Sequence, residues 1–297
     1  MNSEPLDENL KRLKPFLVSD EEEIIESPIY HYCSIDSFMN IIKTGEIWAS
    51  HHGSMNDSSE SRLFYEVLYD IGQSKANSSS IDKINTFLRN FEINLKDYYI
   101  ASFSKNPDIL SQWYMYGNKG KGVCIGFNPE SFHVKKHIPH MTLDDNERIG
   151  IFNVSYQNEN QEALASDLIA LVIEDLWNST PPSIEKLSLA MKHKSFEQEK
   201  EVRIVEVQLG QTLMNPDVSA LRTPYPGEHY SFRVKNENSI VSFRKFPFRN
   251  VDGSSVVHSI WLGPECKIDQ KTLLLFLNGC KCALSDSFYR SSCPFRV

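Results

Sequence analysis

The chain predicts a mixed α+β fold with an antiparallel-leaning sheet and flanking helices, and three observations carry that expectation. Strand-like runs rich in β-branched and aromatic residues alternate with amphipathic stretches, yet they lie too close together for regular parallel βαβ crossovers. No segment repeats at a fixed period, which argues against solenoids and propellers. The first strand, helix and strand, within residues 29–50, turn without the Gly-rich fingerprint of a dinucleotide-binding crossover.

Each element has a local reason. Ile29–Cys33 has strand composition, and Ser34 can cap a helix whose apolar positions Ile35, Phe38, Ile41 and Ile42 share one side until Gly45 ends it. Ile47–Ser50 is a second strand leading into a polar turn at 51–57. Helical spacing recurs over Ser61–Gln73 and Ile81–Leu95, separated by an Asn/Ser run. Tyr99–Phe103 reads as a buried strand, Ile109–Tyr116 as a short helix, and Gly122–Phe127 as a strand entered through the loop 117–121. Ile149–Tyr156 is expected as a strand, Ala163–Trp177 as a helix stopped by Pro181-Pro182, and Ser183–His193 as a further helix. Glu201–Leu209 is β-branched and strand-like. Residues 210–238, rich in Pro, Asn and Gly, read as a long excursion before strands at Ser239–Phe243 and Val256–Leu262. A last helix is expected at Gln270–Asn278, followed by Lys281–Leu284 and a polar tail. The organisation is therefore an acidic N-terminal arm, 1–27, and a single domain over 28–297.

Composition narrows the function. At 297 residues the chain can build an ample core, and its net charge of -8 gives no general reason to bind a nucleic-acid backbone or an anionic membrane. The first residues lack the apolar run of a signal peptide, so a cytoplasmic protein is expected. The six scattered cysteines are expected reduced. His133, His137 and His140 have a spacing open to zinc but lack a helical context, and Cys266, Cys280, Cys282 and Cys293 fit no usual finger. The loop Gly117–Gly122 lacks the Lys-Ser/Thr pair of a phosphate loop and reads as a tight turn.

The most informative stretch is Lys194–Ile204, where a carboxylate-rich loop runs into the strand beginning at Glu201. Side chains two apart on a strand share a face, so Glu199, Glu201 and Arg203 are expected together, continuing into Val205, Val207 and Leu209. That face passes from charge at a cleft to apolar bulk in a core. The alternative is a solvated strand end where Arg203 neutralises a carboxylate. Upstream lie a strand histidine (His31), a Ser-x-Ser strand (Ser102, Ser104) and two aromatics on a short helix (Trp113, Tyr116), each explicable by packing alone.

Their order resembles a bacterial domain-of-unknown-function family with a Tyr-His-Tyr-x-Ser opening, itself similar to a distant branch of the ADP-ribosyltransferase fold. The pieces are Tyr30-His31-Tyr32-Cys33-Ser34, Ile41–Trp48, Asn56-Asp57, Ser102-Phe103-Ser104, Trp113–Tyr116 with Lys121-Gly122-Val123, Glu199–Arg203 and Ile260–Pro264. The resemblance implies an NAD-dependent ADP-ribosyltransferase or NAD glycohydrolase, a toxin, defence effector or modifying enzyme with a protein or nucleic acid as acceptor. It implies Glu201 as the carboxylate facing the ribosyl cation, with Glu199 orienting or activating the acceptor. His31, also expected as catalytic, and Ser34 would hydrogen-bond the cofactor's ribose and amide with Tyr32 as a further cofactor-binding residue, Ser102 and Ser104 would position carboxylate and nicotinamide, and Trp113 or Tyr116 would face the nicotinamide ring. Asn56 and Asp57 would line the same cleft. Phe196, where the family more often has Trp, would meet the acceptor, and Arg203 is placed to blunt Glu201. A second expectation is a non-catalytic nucleotide- or protein-binding module on the same fold. A third, transfer to RNA or a phosphorylated end, is disfavoured by the acidic balance.

Overall fold

The apolar β-branched runs form the strands of one mainly antiparallel ten-stranded sheet with helices against it. A computed structural model describes residues 25, 28–54, 62–94, 98–139, 148–156, 159–176, 189–207, 231–235 and 238–294. In chain order the elements are β1 (Ile29–Cys33), α1 (Ile35–Thr44), β2 (Glu46–His51), α2 (Leu63–Lys75), α3 (Ile81–Asn94), β3 (Tyr98–Ser104), α4 (Leu110–Met115) and β4 (Val123–Phe127). There follow β5 (Ile149–Asn153), β6 (Ser155–Tyr156), α5 (Glu159–Ile173), β7 (Met191–Lys192) and β8 (Glu201–Val207). The chain then forms β9 (Ser231–Lys235), β10 (Ser239–Pro247), β11 (Ser255–Val257), β12 (Ser259–Leu262), α6 (Gln270–Gly279), β13 (Cys282–Leu284) and β14 (Phe288–Arg290).

Local signals act as their chemistry dictates. Ser34 caps α1, its Oγ accepting from Ser37 N at 3.2 Å. Gly45 closes the helix at φ +68, its N–H donating to Ile41 O, a left-handed conformation that costs glycine nothing. The loop before β4 is a tight turn, with Gly122 N donating to Gly117 O.

Two cores organise the molecule. On one sheet face, α1 and α6 bury Phe38, Ile42, Leu273 and Leu277 against Ile29, Ala101, Ile125, Val202 and Ile204. Beside the sheet, α2, α3 and α5 pack into a helical cluster that also takes in Met191 of β7. The opposite face of β8 carries Val205 and Val207 against Tyr98 and Ile100. The alternation expected along β8 is present: Glu201, Arg203, Val205 and Val207 lie on one side, Val202 and Ile204 on the other.

The sheet forks at β3. One edge of β3 pairs with β8 along its whole length, from Tyr98↔Val207 to Ser104↔Glu201. On its other edge β2 pairs only near the start (Ser50↔Ile100, His51↔Tyr99) and β1 only at the end (Tyr30↔Ser104). Between them, at Ala101–Phe103, the two strands diverge. From the fork the sheet continues through β1 to β4, β12 and β14, and through β2 to β10 and β9.

Several expectations change. The helix expected over Ser183–His193 gives way at Met191–Lys192 to β7, because parallel pairing with β6 (Tyr156↔Lys192) overrides helical spacing; residues 183–188 lie outside the described residues. The end of the 210–238 excursion is strand β9, whose alternating Phe232 and Val234 register against Ser242 and Ile240 of β10. The run Val256–Leu262 divides into β11 and β12 around His258, with β11 joining β13 in a separate pair. Part of the expected polar tail is β14, parallel to β12. The N-terminal arm lies outside the described residues except Ile25, which is buried in the main core.

Candidate functional site at the fork of the sheet

The divergence of β1 from β2 opens a cleft of about 530 Å³, within the size range of small-molecule sites. His31 stands where the strands part. Its Nδ1 lies 3.1 Å from Ser102 O, a backbone acceptor exposed by the fork. A carbonyl only accepts, so Nδ1 carries the proton and Nε2 is left as an acceptor in the neutral ring. Burial lowers the His31 pKa, outweighing the opposing effect of that bond, and keeps the imidazole neutral at pH 7.

Across β3, β8 and the turn before it build an ion network. Lys192 Nζ donates to Glu199 Oε2 (2.7 Å) and to Glu201 Oε2 (2.9 Å). Arg203 forks onto Glu201 through Nε (2.9 Å) and Nη2 (3.1 Å), while its Nη1 donates to Leu189 O (2.8 Å). Arg203 is fully buried and Lys192 only 3% exposed. Two carboxylates and two cations sum to zero charge, which lets the cluster exist away from water. Burial alone would raise the Glu201 pKa, but Arg203 first and Lys192 second overcome it and hold the carboxyl at about 2. Ser102 adds a smaller lowering without reaching hydrogen-bond geometry at its Oγ.

Lys192 is placed by its neighbour. Met191 is anchored in the helical cluster, so the alternation of β7 turns Lys192 the other way, toward the carboxylates, where Phe196 covers it with its ring centroid 4.9 Å from Nζ. The Glu201 backbone N–H is held by Tyr156 OH at 2.8 Å. Ser104 Oγ donates to Glu199 O at 2.7 Å and accepts from Asn106 N, tying the end of β3 to the glutamate turn. Tyr116 OH donates to Glu199 Oε1 at 3.3 Å.

Of the residues singled out from the sequence, His31, Tyr32, Ser102, Ser104, Tyr116, Glu199 and Glu201 line this cleft together with Phe196. Two others sit elsewhere. Ser34 is spent as the cap of α1, and Trp113 is fully buried against Tyr32 and Cys124 with its Nε1–H donating to Asp108 Oδ1 (2.7 Å). The aromatic presented to the cleft is therefore Tyr116, because α4 turns Trp113 into the core. Tyr32 is half structural: its hydroxyl donates to Asn106 O and accepts from Ile109 N. Asn56 and Asp57 lie outside the described residues.

A family model described as "Protein of unknown function (DUF2971)" matches residues 112–204. The match runs from α4 into β8. It contains Tyr116, Lys192, Glu199, Glu201 and Arg203, and begins after the Tyr30–Ser34 opening on which the wider resemblance was read. It carries no link to ADP-ribosyltransferases. Neither the curated proteins nor the solved structures contain a match to this chain.

Sequence reasoning missed Lys192, the hub of the network, along with Arg233 and Lys235 at the rim of the cleft. Lys192 sits in a Lys/His-rich stretch that resembles a solvated surface, and only the burial of Met191 beside it hints otherwise. Among the described residues no group of three or more His, Cys, Asp or Glu is arranged to hold a metal, and His140 lies outside them. Cys33 and Cys124 are buried free thiols, raised in pKa by burial.

Proposed function

We propose that the fork cleft binds NAD and that the chain cleaves its nicotinamide-ribose bond, as an ADP-ribosyltransferase or NAD glycohydrolase. The observation that carries this reading is convergence: His31 from β1, Ser102 and Ser104 from β3, Tyr116 next to α4, and Glu199 and Glu201 from the β8 entry all line one cleft. In the reaction the C1′–N bond breaks with its electron pair leaving on nicotinamide, and the ribosyl cation is captured by water or an acceptor nucleophile, which loses a proton. A fixed carboxylate beside the sugar stabilises that cation.

The geometry favours Glu199 for this role over Glu201, reversing the order expected from the resemblance. Both Glu201 oxygens accept from buried cations and its side chain is 3% exposed, whereas the Glu199 side chain, at 12% exposure, lies nearer the open cleft, with Tyr116 OH donating to its Oε1 at 3.3 Å. Glu201 then acts through Lys192, holding it against Glu199. His31, neutral, offers Nε2 to a ribose hydroxyl or amide.

The saturation of Glu201 also supports a second reading, a module that binds a nucleotide without turnover. One experiment separates them: purified protein is incubated with NAD, with and without protein and nucleic-acid acceptors, while nicotinamide release and NAD binding are followed for wild type, Glu199→Gln and Glu201→Gln. The enzymatic reading expects release that falls about 100-fold or more in Glu199→Gln with binding retained. NAD binding with no release under any acceptor condition supports the module, and absence of NAD binding removes the enzymatic reading.

A further inference from the structure

The glutamate end of the cleft is charge-balanced; among the described residues, the two cations at its other rim are not. Strand β9 alternates, sending Phe232 and Val234 outward (67% and 68% exposed) and turning Arg233 and Lys235 toward the cleft that both line. Neither meets a carboxylate among the described residues. Arg233 Nη2 donates to Ser50 Oγ at 2.9 Å, and Lys235 Nζ donates to the carbonyl of Ser54. Both heads are thus steered onto the β2 side of the fork by neutral acceptors, which fix their position and, among the described residues, leave their charge without a carboxylate partner. Arg233 keeps further N–H groups in a planar fork suited to phosphate oxygens.

The register gives the distance between the two ends. Ser50 is paired with Ile100, and Glu201 with Ser104, on opposite edges of β3. Two strand spacings across and four residues along β3 separate Ser50 from Glu201 by roughly 16 Å. That is the reach of an extended nucleotide rather than of a simple sugar. Trp48 and Ser50 line the same rim and add an aromatic and a hydroxyl.

We infer that Arg233 and Lys235 form an anion subsite for the diphosphate of an extended nucleotide whose sugar end lies toward Glu199. The inference rests on the proposed NAD reading for the identity of the whole ligand, but not for the anion, so the two can fail separately. Calorimetric titration of inorganic pyrophosphate and of ADP-ribose, at low and high salt, tests it on wild type and on Arg233→Glu/Lys235→Glu. Wild type is expected to bind both ligands more weakly as salt rises, and the double variant to lose about tenfold or more in affinity with little remaining salt dependence. Thermal unfolding confirms that the variant is folded; if it is not, the milder Arg233→Gln is read in the same way and is expected to show a smaller loss of the same sign. Affinities in the folded variant within twofold of wild type, or wild type binding neither ligand, overturn the subsite. Wild type that binds pyrophosphate and ADP-ribose but not NAD upholds the subsite and counts against NAD as the ligand.

Discussion

Arg203 shows how far a single side chain can be read and where reading stops. Strand alternation placed it beside Glu201 on one face, and the two are joined by a two-point ion pair there. Its complete burial was not legible, because nothing local says that β8 will be flanked by both β3 and β5. Burial changes the energetics of the pair. Removing only the cation leaves a carboxylate buried with one fewer partner, so Arg203→Met is expected to destabilise the fold by about 3–5 kcal/mol in urea denaturation. Removing both charges in Glu201→Leu/Arg203→Met is expected to recover much of that loss. A single variant as stable as wild type would show that the pair is open to water. Lys192 makes the complementary point: its neighbours in sequence look like surface, and only packing of Met191 into the helical cluster commits it to the interior.

Elements fared better than their borders. The helix α1 was legible because every signal agreed: a serine cap, an apolar stripe and a terminal glycine in the left-handed conformation. Ser34→Ala, which removes the acceptor for Ser37 N and an exposed donor to Ser37 Oγ, is expected to lower stability by about 1 kcal/mol, measured as a shift of the urea midpoint at unchanged slope. An unchanged NAD affinity in that variant would agree with a cap, and a large loss of affinity would return Ser34 to the ligand site. The misreadings share one cause. β7, β9 and β14 are short, and each is strand only because a partner strand supplies its hydrogen bonds: β7 and β14 pair with strands well back in the chain, and β9 with the next strand, β10, which is itself held against β2. A periodicity argument sees no such partner, so it took one for the end of a helix, one for loop and one for tail.

For the molecule as a whole, the buried titratable groups set a direction for acid stability. Glu201 is held near pH 2 in the folded chain, below its ordinary 4.5, so its contribution is complete above about 4.5 and is lost as pH falls toward 2. The His31 pKa is also lowered, here by burial, from 6.5. An unfolded chain takes up that proton more readily, so stability begins to fall as pH drops through 6.5. Both groups bind fewer protons when folded, and the two effects share a sign. The urea midpoint is expected to decline from pH 7 and more steeply below about 4.5, with His31→Gln flattening the upper part of the curve. A midpoint constant from pH 7 to 3 would contradict both assignments.

Composition, periodicity and turn chemistry were enough to establish an α+β chain with a mainly antiparallel sheet, the boundaries of α1, and the two faces of β8, since all of these depend on neighbours a few residues apart. The ordered pieces His31, Ser102, Ser104, Tyr116, Glu199 and Glu201 were legible as residue types, and their meeting at one cleft was not. That meeting depends on the partial pairing of β1 and β2 with a single edge of β3, which leaves a gap in the sheet at Ala101–Phe103. Long-range register also decided that Trp113 packs inside while Tyr116 reaches Glu199, that Glu201 is closed by Arg203 and Lys192, and that Arg233 and Lys235 return to the rim from a strand hidden in an expected loop. Side-chain direction is local and survives in the sequence; the partner that a side chain meets is chosen by strands brought together across the chain.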